Sequence, residues 1–231
     1  MSALIRAAPP RHDWRGHNGY YSPASHGGGS PRFRINAEGT TPSSLRRADH
    51  RYNGPYMERP GATTLRGNPL TAIGPELKSG DHAPDFQTVD DSLKPVNLEA
   101  TGHGVRIFSV VPSLDTPVCD AQTKRFNEEA GKLPGVSIYT VSMDLPFAQK
   151  RWCGAFGVDH VKMLSDHRSG SFGEHYGTLI KELRILSRAI FVLDQENNIR
   201  HVEYVKEVAD HPNYESALAV ARKLSGGAAT A

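Results

Sequence analysis

The chain has 231 residues, with 27 Lys and Arg against 25 Asp and Glu, a net charge of +2 and two cysteines. That length allows a full hydrophobic core in one or two domains, and no apolar run approaches the roughly 20 residues of a membrane-spanning helix. Two cysteines exclude both a disulfide framework and a Cys-only zinc site, and the near-neutral total argues against a dedicated nucleic-acid binder.

The charge is unevenly placed. Residues 1–66 hold ten Arg, no Lys and four acids, a net +6, whereas residues 67–231 carry −4. Leu, Ile, Val and Phe supply 6 of the first 66 residues and 43 of the following 165, so the first segment is too poor in apolar side chains to bury a core. With eight Gly and seven Pro it is expected to be a disordered extension, leaving residues 67–231 as the folded domain. Residues 1–30 contain no secretory apolar stretch, which places the chain in a reducing, cytoplasmic compartment. The Arg-rich, acid-poor composition is that of a transit peptide, but Gly and Pro oppose an amphipathic helix. A basic arm for nucleic acid and a solvated extension without function of its own are the other readings. Met57 offers an alternative start of translation.

Residues 67–104 alternate short apolar positions (Leu70, Ile73, Phe86, Val89, Val96, Leu98) with Gly, Pro and Asp, which predicts a hairpin region of short strands. Residues 105–111 (VRIFSVV) form a β-branched run bounded by Gly104 and Pro112, as in a strand buried on both faces. A helix over 117–130 follows, with Pro117 at its first position, Phe126 inward and Gly131 beyond its end. Residues 136–143 (VSIYTVSM) complete a βαβ unit. A second unit runs through a helix at 146–156, closed by Gly157, into a short strand at 161–164. One or two helical turns are expected over 171–176. Residues 189–193 (AIFVL) and 199–205 pair as a hairpin turned by Asn197-Asn198, and Tyr214, Ala217, Leu218, Ala221 and Leu224 mark a closing amphipathic helix. The economical α/β fold is a central mixed sheet with helices on both faces, compatible with a thioredoxin-like architecture.

In such sheets the reactive crevice lies beyond the carboxyl ends of the strands. Residues 112–120 (PSLDTPVCD) occupy that place. Cys119 falls in the first turn of a helix, where free N–H groups and the helix dipole favour an anion, and the thiolate is the nucleophilic form of cysteine. Thr116, three residues earlier, can set its hydroxyl beside the sulfur. The competing structural reading makes Thr116 an ordinary helix cap and Cys119 a small buried hydrophobe. Cys153, within Arg151-Trp152-Cys153-Gly154, tips the balance. In a reducing compartment a static bridge between the two is improbable, whereas a transient one makes chemical sense: Cys119 becomes a sulfenic acid and Cys153 condenses with it. The chain contains no Cys-X-X-Cys motif, and its dispersed histidines show no metal-ligand spacing.

At these residues the sequence resembles the peroxiredoxins, whose signature Pro-x-x-x-Thr-x-x-Cys is met by Pro112, Thr116 and Cys119. More closely it resembles the thiol peroxidase subfamily, through GNPLTAIG (67–74), DLPFAQKRWCGAFG (144–157), SRAIFVLD (187–194) and EVADHPNYESALA (207–219). The resemblance implies a peroxidatic Cys119 and a resolving Cys153, with Thr116 orienting the sulfur and Arg188 holding thiolate and peroxide. Pro112 would shield the thiolate and shape the pocket. It further implies no metal or organic cofactor, thioredoxin as reductant, hydrogen peroxide and organic hydroperoxides as substrates, and a homodimer. Trp152 replaces a more usual Phe. Phe86, Leu145, Phe147 and Trp152 are candidates for an apolar wall that would admit alkyl hydroperoxides, simple core packing being the other reading. The two helix-borne sulfurs are expected to lie apart in the reduced protein, so that the turn bearing Cys119 unwinds in each cycle.

Overall fold

The computed structural model describes residues 57–226, in which four helices and two sheets are built around two apolar clusters. The central sheet has seven strands in the order β10 (Ile199–Tyr204), β9 (Ala189–Leu193), β5 (Val105–Val110), β6 (Val136–Ser142), β7 (Lys162–Ser165), β3 (Thr88–Val89) and β4 (Pro95–Val96). Strands β5, β6 and β7 run parallel, as the two βα units require, while β9, β10, β3 and β4 join antiparallel. This is the mixed sheet expected of a thioredoxin-like fold.

Alternation along the buried strands divides the core. Phe108, Val110, Tyr139, Val141, Phe191 and Leu193 face one cluster, and Ile107, Ile138, Met163, Ile190 and Val192 the other. The second face is covered by the three long helices α1 (Pro117–Ala130), α2 (Pro146–Phe156) and α4 (Tyr214–Gly226), through Phe126, Trp152, Ala217, Leu218 and Ala221. The first face is covered by the short helix α3 (Ser171–His175) and an aromatic group in which Phe172 and Tyr176 stack and Phe86 meets Phe108 edge-on. Both cysteine-bearing helices therefore lie on the same side of the sheet. Among the described residues no helix is long and apolar enough to cross a membrane.

The expected boundary at residue 66 is corrected. Strand β1 (Glu58–Leu65) lies inside the segment assigned to the extension and pairs antiparallel with β2 (Asn68–Ile73), which pairs in turn with β8 (Leu179–Ile180). Its sequence, ERPGATTL, carries little apolar surface, so composition gave no sign of it. Polar bonds hold it instead. Arg59 donates to the carbonyls of Gly74 and Gly177 at 3.0 and 2.5 Å, and Thr64 exchanges backbone bonds with Lys206 and Val208 at 2.7 and 2.8 Å. The expected hairpin region of short strands holds two hairpins: β1–β2, turned at Arg66-Gly67 and extended by β8, and β3–β4. The expectation of a disordered extension falls, as far as residue 56, outside the described residues.

Candidate active site

Strand β5 ends at Val110, with Val111 still donating to Val141, and Pro112, which has no N–H to continue the ladder, is buried where the chain turns off the sheet. The loop 112–116 leads into α1 with Pro117 at its first position. Asp120 N–H closes the first helical bond onto Thr116 C=O at 2.9 Å, so the N–H groups of Val118 and Cys119 remain without intrahelical partners. The Cys119 sulfur sits beside them, in a residue with 0 % exposure.

The Thr116 hydroxyl is not a helix cap. It lies 2.8 Å from Cys119 Sγ and 3.1 Å from the Ser113 carbonyl, and α1 has no side-chain cap at all. A hydroxyl has one hydrogen, so Thr116 can accept from a Cys119 thiol while donating to Ser113, or donate to a thiolate. The same contact serves both protonation states of the sulfur.

Arg188 arrives from the other side of β5. Antiparallel pairing sets Ala189 opposite Val110, which brings the preceding residue, Arg188, to the carboxyl end of β5. Its guanidinium, in a residue 1 % exposed, donates through Nη2 to Cys119 Sγ at 3.3 Å, through Nη1 to Gln122 Oε1 at 2.5 Å and through Nε to the Val208 carbonyl at 3.0 Å. Gln122 in turn donates to Ser109 Oγ at 2.8 Å. Sequence reasoning missed Gln122, Ser109 and Val208. A polar residue one turn after Cys119 on the sheet-facing side of α1 was the available signal for Gln122. Val208 lies inside the stretch 207–219 but acts through its backbone, fixed by Thr64 of β1, so its residue type carried no signal.

Cys153 lies in the last turns of α2, half-buried, packed against the same apolar cluster as Cys119, and both thiols are free. Burial, and next the negative charge of Asp91, push its thiol up to about 11. It lines a cavity of about 460 Å³ along β7, together with Asp91, Val158, Val161, Lys162 and Met163. The candidate apolar wall divides: Phe86 and Trp152 are core residues on opposite faces of the sheet, whereas Leu145 and Phe147 stand 52 % and 65 % exposed at the start of α2.

A buried thiol beside a helix N-terminus, a guanidinium and a hydroxyl is a site for a negatively charged sulfur. The family described as Redoxin matches residues 78–218. The thiol peroxidase of Bacillus subtilis is 55% identical over 161 residues, covering 70% of this chain and 96% of the relative. The chain belongs to the thiol peroxidases. That of Clostridium acetobutylicum is 52% identical over 158 residues, covering 68% and 96%. Among solved structures, a peroxiredoxin-like protein from Aquifex aeolicus has 41% identity and a TM-score of 0.67 over 74% of this chain and 99% of its own. A thiol peroxidase from Chromobacterium violaceum, at 22% identity and a TM-score of 0.63 over 70% and 95%, shares the fold. Of the five expected site residues, Pro112, Thr116, Cys119, Cys153 and Arg188, the geometry brings three into direct contact, with Thr116 and Arg188 both on the Cys119 sulfur.

Proposed function

We propose that this thiol peroxidase reduces hydrogen peroxide and organic hydroperoxides through Cys119, resolves the product with Cys153 and is recycled by thioredoxin in a reducing, cytoplasmic compartment. The observation that carries the reading is the meeting of Arg188 Nη2 and Thr116 Oγ1 on Cys119 Sγ, at 3.3 and 2.8 Å, from separate parts of the chain. The thiolate sulfur attacks the terminal oxygen of ROOH. An S–O bond forms, the O–O bond breaks, and RO⁻ departs to take a proton from solvent as ROH, leaving Cys119 as a sulfenic acid. Negative charge moves from sulfur to the leaving oxygen, so donors fixed beforehand, the Arg188 guanidinium and the N–H groups of Val118 and Cys119, lower the barrier without reorganising. Pro112, buried at the base of the loop, keeps water from the sulfur. No metal or organic cofactor enters these steps.

The sulfenic acid then condenses with the Cys153 thiol, forming the S–S bond and releasing water. A dithiol reductant supplies two hydrogens and returns both thiols. Condensation requires Cα atoms within about 4.4–6.8 Å, and burial and the Asp91 charge disfavour the Cys153 thiolate; in this reading the turn bearing Cys119 unwinds so that the two sulfurs meet. The first turn of α1 is built to yield. It lacks a side-chain cap, a loss of about 0.5–2 kcal/mol, while Phe126, two turns on and fully buried, anchors the remainder with about 2–3 kcal/mol. Leu145 and Phe147 offer the only exposed apolar surface of the four candidates for an alkyl tail. The resemblance also implies a homodimer.

Steady-state peroxide consumption with thioredoxin tests the reading. Wild type turns over, Cys119→Ser does not react, and Cys153→Ser undergoes the first oxidation but no thioredoxin-supported turnover. Sustained turnover by Cys153→Ser would contradict it.

A further inference from the structure

One chain of hydrogen bonds joins the two cysteine-bearing elements, and beyond Thr116 and Cys119 its members have no part in the peroxide chemistry above. Its centre is Asp144, in the connection between β6 and α2. The carboxylate accepts from Ser113 Oγ at 2.8 Å, from Leu114 N–H at 2.8 Å and from Ser142 Oγ at 2.9 Å. Ser113 and Leu114 belong to the loop before α1, and the Ser113 carbonyl accepts from both the N–H and the hydroxyl of Thr116, at 3.2 and 3.1 Å. Thr116 then reaches Cys119. In the other direction Ser142 Oγ accepts from Gln149 Nε2 at 3.0 Å. Gln149 is fully buried in α2, four residues before Cys153.

The bonding is tight. Ser142 gives its only hydrogen to Asp144 and accepts from Gln149 and from the Asp144 N–H at 3.3 Å, so its hydroxyl is saturated. Two hydroxyl hydrogens and one amide converge on a single carboxylate, an arrangement that an amide or apolar side chain cannot reproduce. Removing it leaves the Leu114 N–H and the Ser113 hydroxyl without their acceptor. Nothing about Asp144 touches the sulfur; its influence passes through the loop.

We propose that Asp144 is a positioning residue that latches the Cys119 loop to the base of the Cys153 helix. It thereby sets how the Cys119 sulfenic acid divides between Cys153 and a second peroxide. The inference rests on the roles given to the two cysteines above. With the latch closed, Thr116 is aimed at the sulfur and the folded site favours reaction with peroxide, whether of the thiolate or of the sulfenate. In the latter case a second ROOH transfers one oxygen to sulfur, giving the sulfinate and ROH. With the latch open, the loop leaves the site, the donors separate from the sulfur, and condensation with the Cys153 thiol, which releases water, gains ground.

The test compares wild type, Asp144→Ala and the milder Ser113→Ala, each checked for native circular dichroism. With Trp14→Phe in every chain, stopped-flow fluorescence of Trp152, next to Cys153, follows the two steps, and mass spectrometry gives the sulfinic fraction at graded hydrogen peroxide. For Asp144→Ala the first oxidation slows about tenfold, the equivalent of one charge-assisted hydrogen bond, while condensation quickens severalfold and the sulfinic fraction falls. Ser113→Ala moves all three in the same directions by less, and carries the test alone if Asp144→Ala does not fold. A purely structural role would lower thermal stability without moving the division. An unchanged sulfinic fraction, or both steps slowed together, overturns the latch while a wild-type Cys119–Cys153 disulfide leaves the parent reading standing. Absence of that disulfide in wild type overturns both.

Discussion

Cys119 and Cys153 pack on the same side of the central sheet, but they meet different neighbours. Cys119 is the more deeply buried, yet its sulfur is met by a guanidinium, a hydroxyl and the open end of a helix. Cys153 is half-exposed, yet its sulfur meets apolar wall and the charge of Asp91, and among the described residues no guanidinium or hydroxyl bonds to it. Burial alone therefore says little about thiol chemistry. What matters is whether the water taken away is replaced by fixed charged and polar donors, as at Cys119, or mainly by apolar wall, as at Cys153. On the proposed function, the first is the attacking sulfur and the second the resolving one.

The comparison breaks most severely at Arg188. Replacing it with Ala removes the donor shared by sulfur and peroxide, and the rate constant for Cys119 oxidation, followed by stopped flow, should fall by about 10²–10³. Arg188→Lys keeps the charge but cannot hold sulfur, Gln122 and Val208 together, and recovers little of the loss. A rate within threefold of wild type for Arg188→Ala would show that the two sulfurs differ for some other reason.

A smaller effect is expected at Thr116. Thr116→Val keeps the shape and loses the hydroxyl, which should slow oxidation by about tenfold, or 1.4 kcal/mol. Thr116→Ser should restore most of it, because the hydroxyl and not the methyl faces the sulfur.

The smallest effect sharpens the other half of the comparison. In a Cys119→Ser chain, alkylation of Cys153 should go on rising with pH to a midpoint near about 11, since burial and Asp91 both disfavour its thiolate. Asp91→Asn removes only the second cause and should lower that midpoint by a fraction of a pH unit. A midpoint in the ordinary cysteine range would mean that the sulfur is already open to water in the reduced protein.

Much of the scaffold was legible because the buried strands are apolar and β-branched. The helices at 117–130 and 146–156, each opened by Pro and closed by Gly, and the apolar strand at 189–193 agree with α1, α2 and β9 residue for residue. The extent of the domain was not, because β1 is held by Arg59 and by backbone pairing, and hydrophobic content is blind to both. The same limit applies at the site. Cys119, Thr116 and Arg188 carry recognisable chemistry, whereas the Val208 carbonyl that steadies Arg188 is a backbone atom on a loop fixed by β1, and no residue type announces it. Asp144 could be read as part of a motif, but two of its three donors, Ser113 and Leu114, reach it only because the ends of β5 and β6 lie side by side in the fold.

The account turns on one sulfur attacking and the other resolving within a single chain. Peptide mapping under non-reducing conditions, after one equivalent of hydrogen peroxide, tests this most directly. The result predicted is a linked pair of peptides carrying Cys119 and Cys153 from the same chain, and in Cys153→Ser a sulfenic acid on Cys119 alone. Oxidation that begins on Cys153, or a bridge found only between chains, would contradict it.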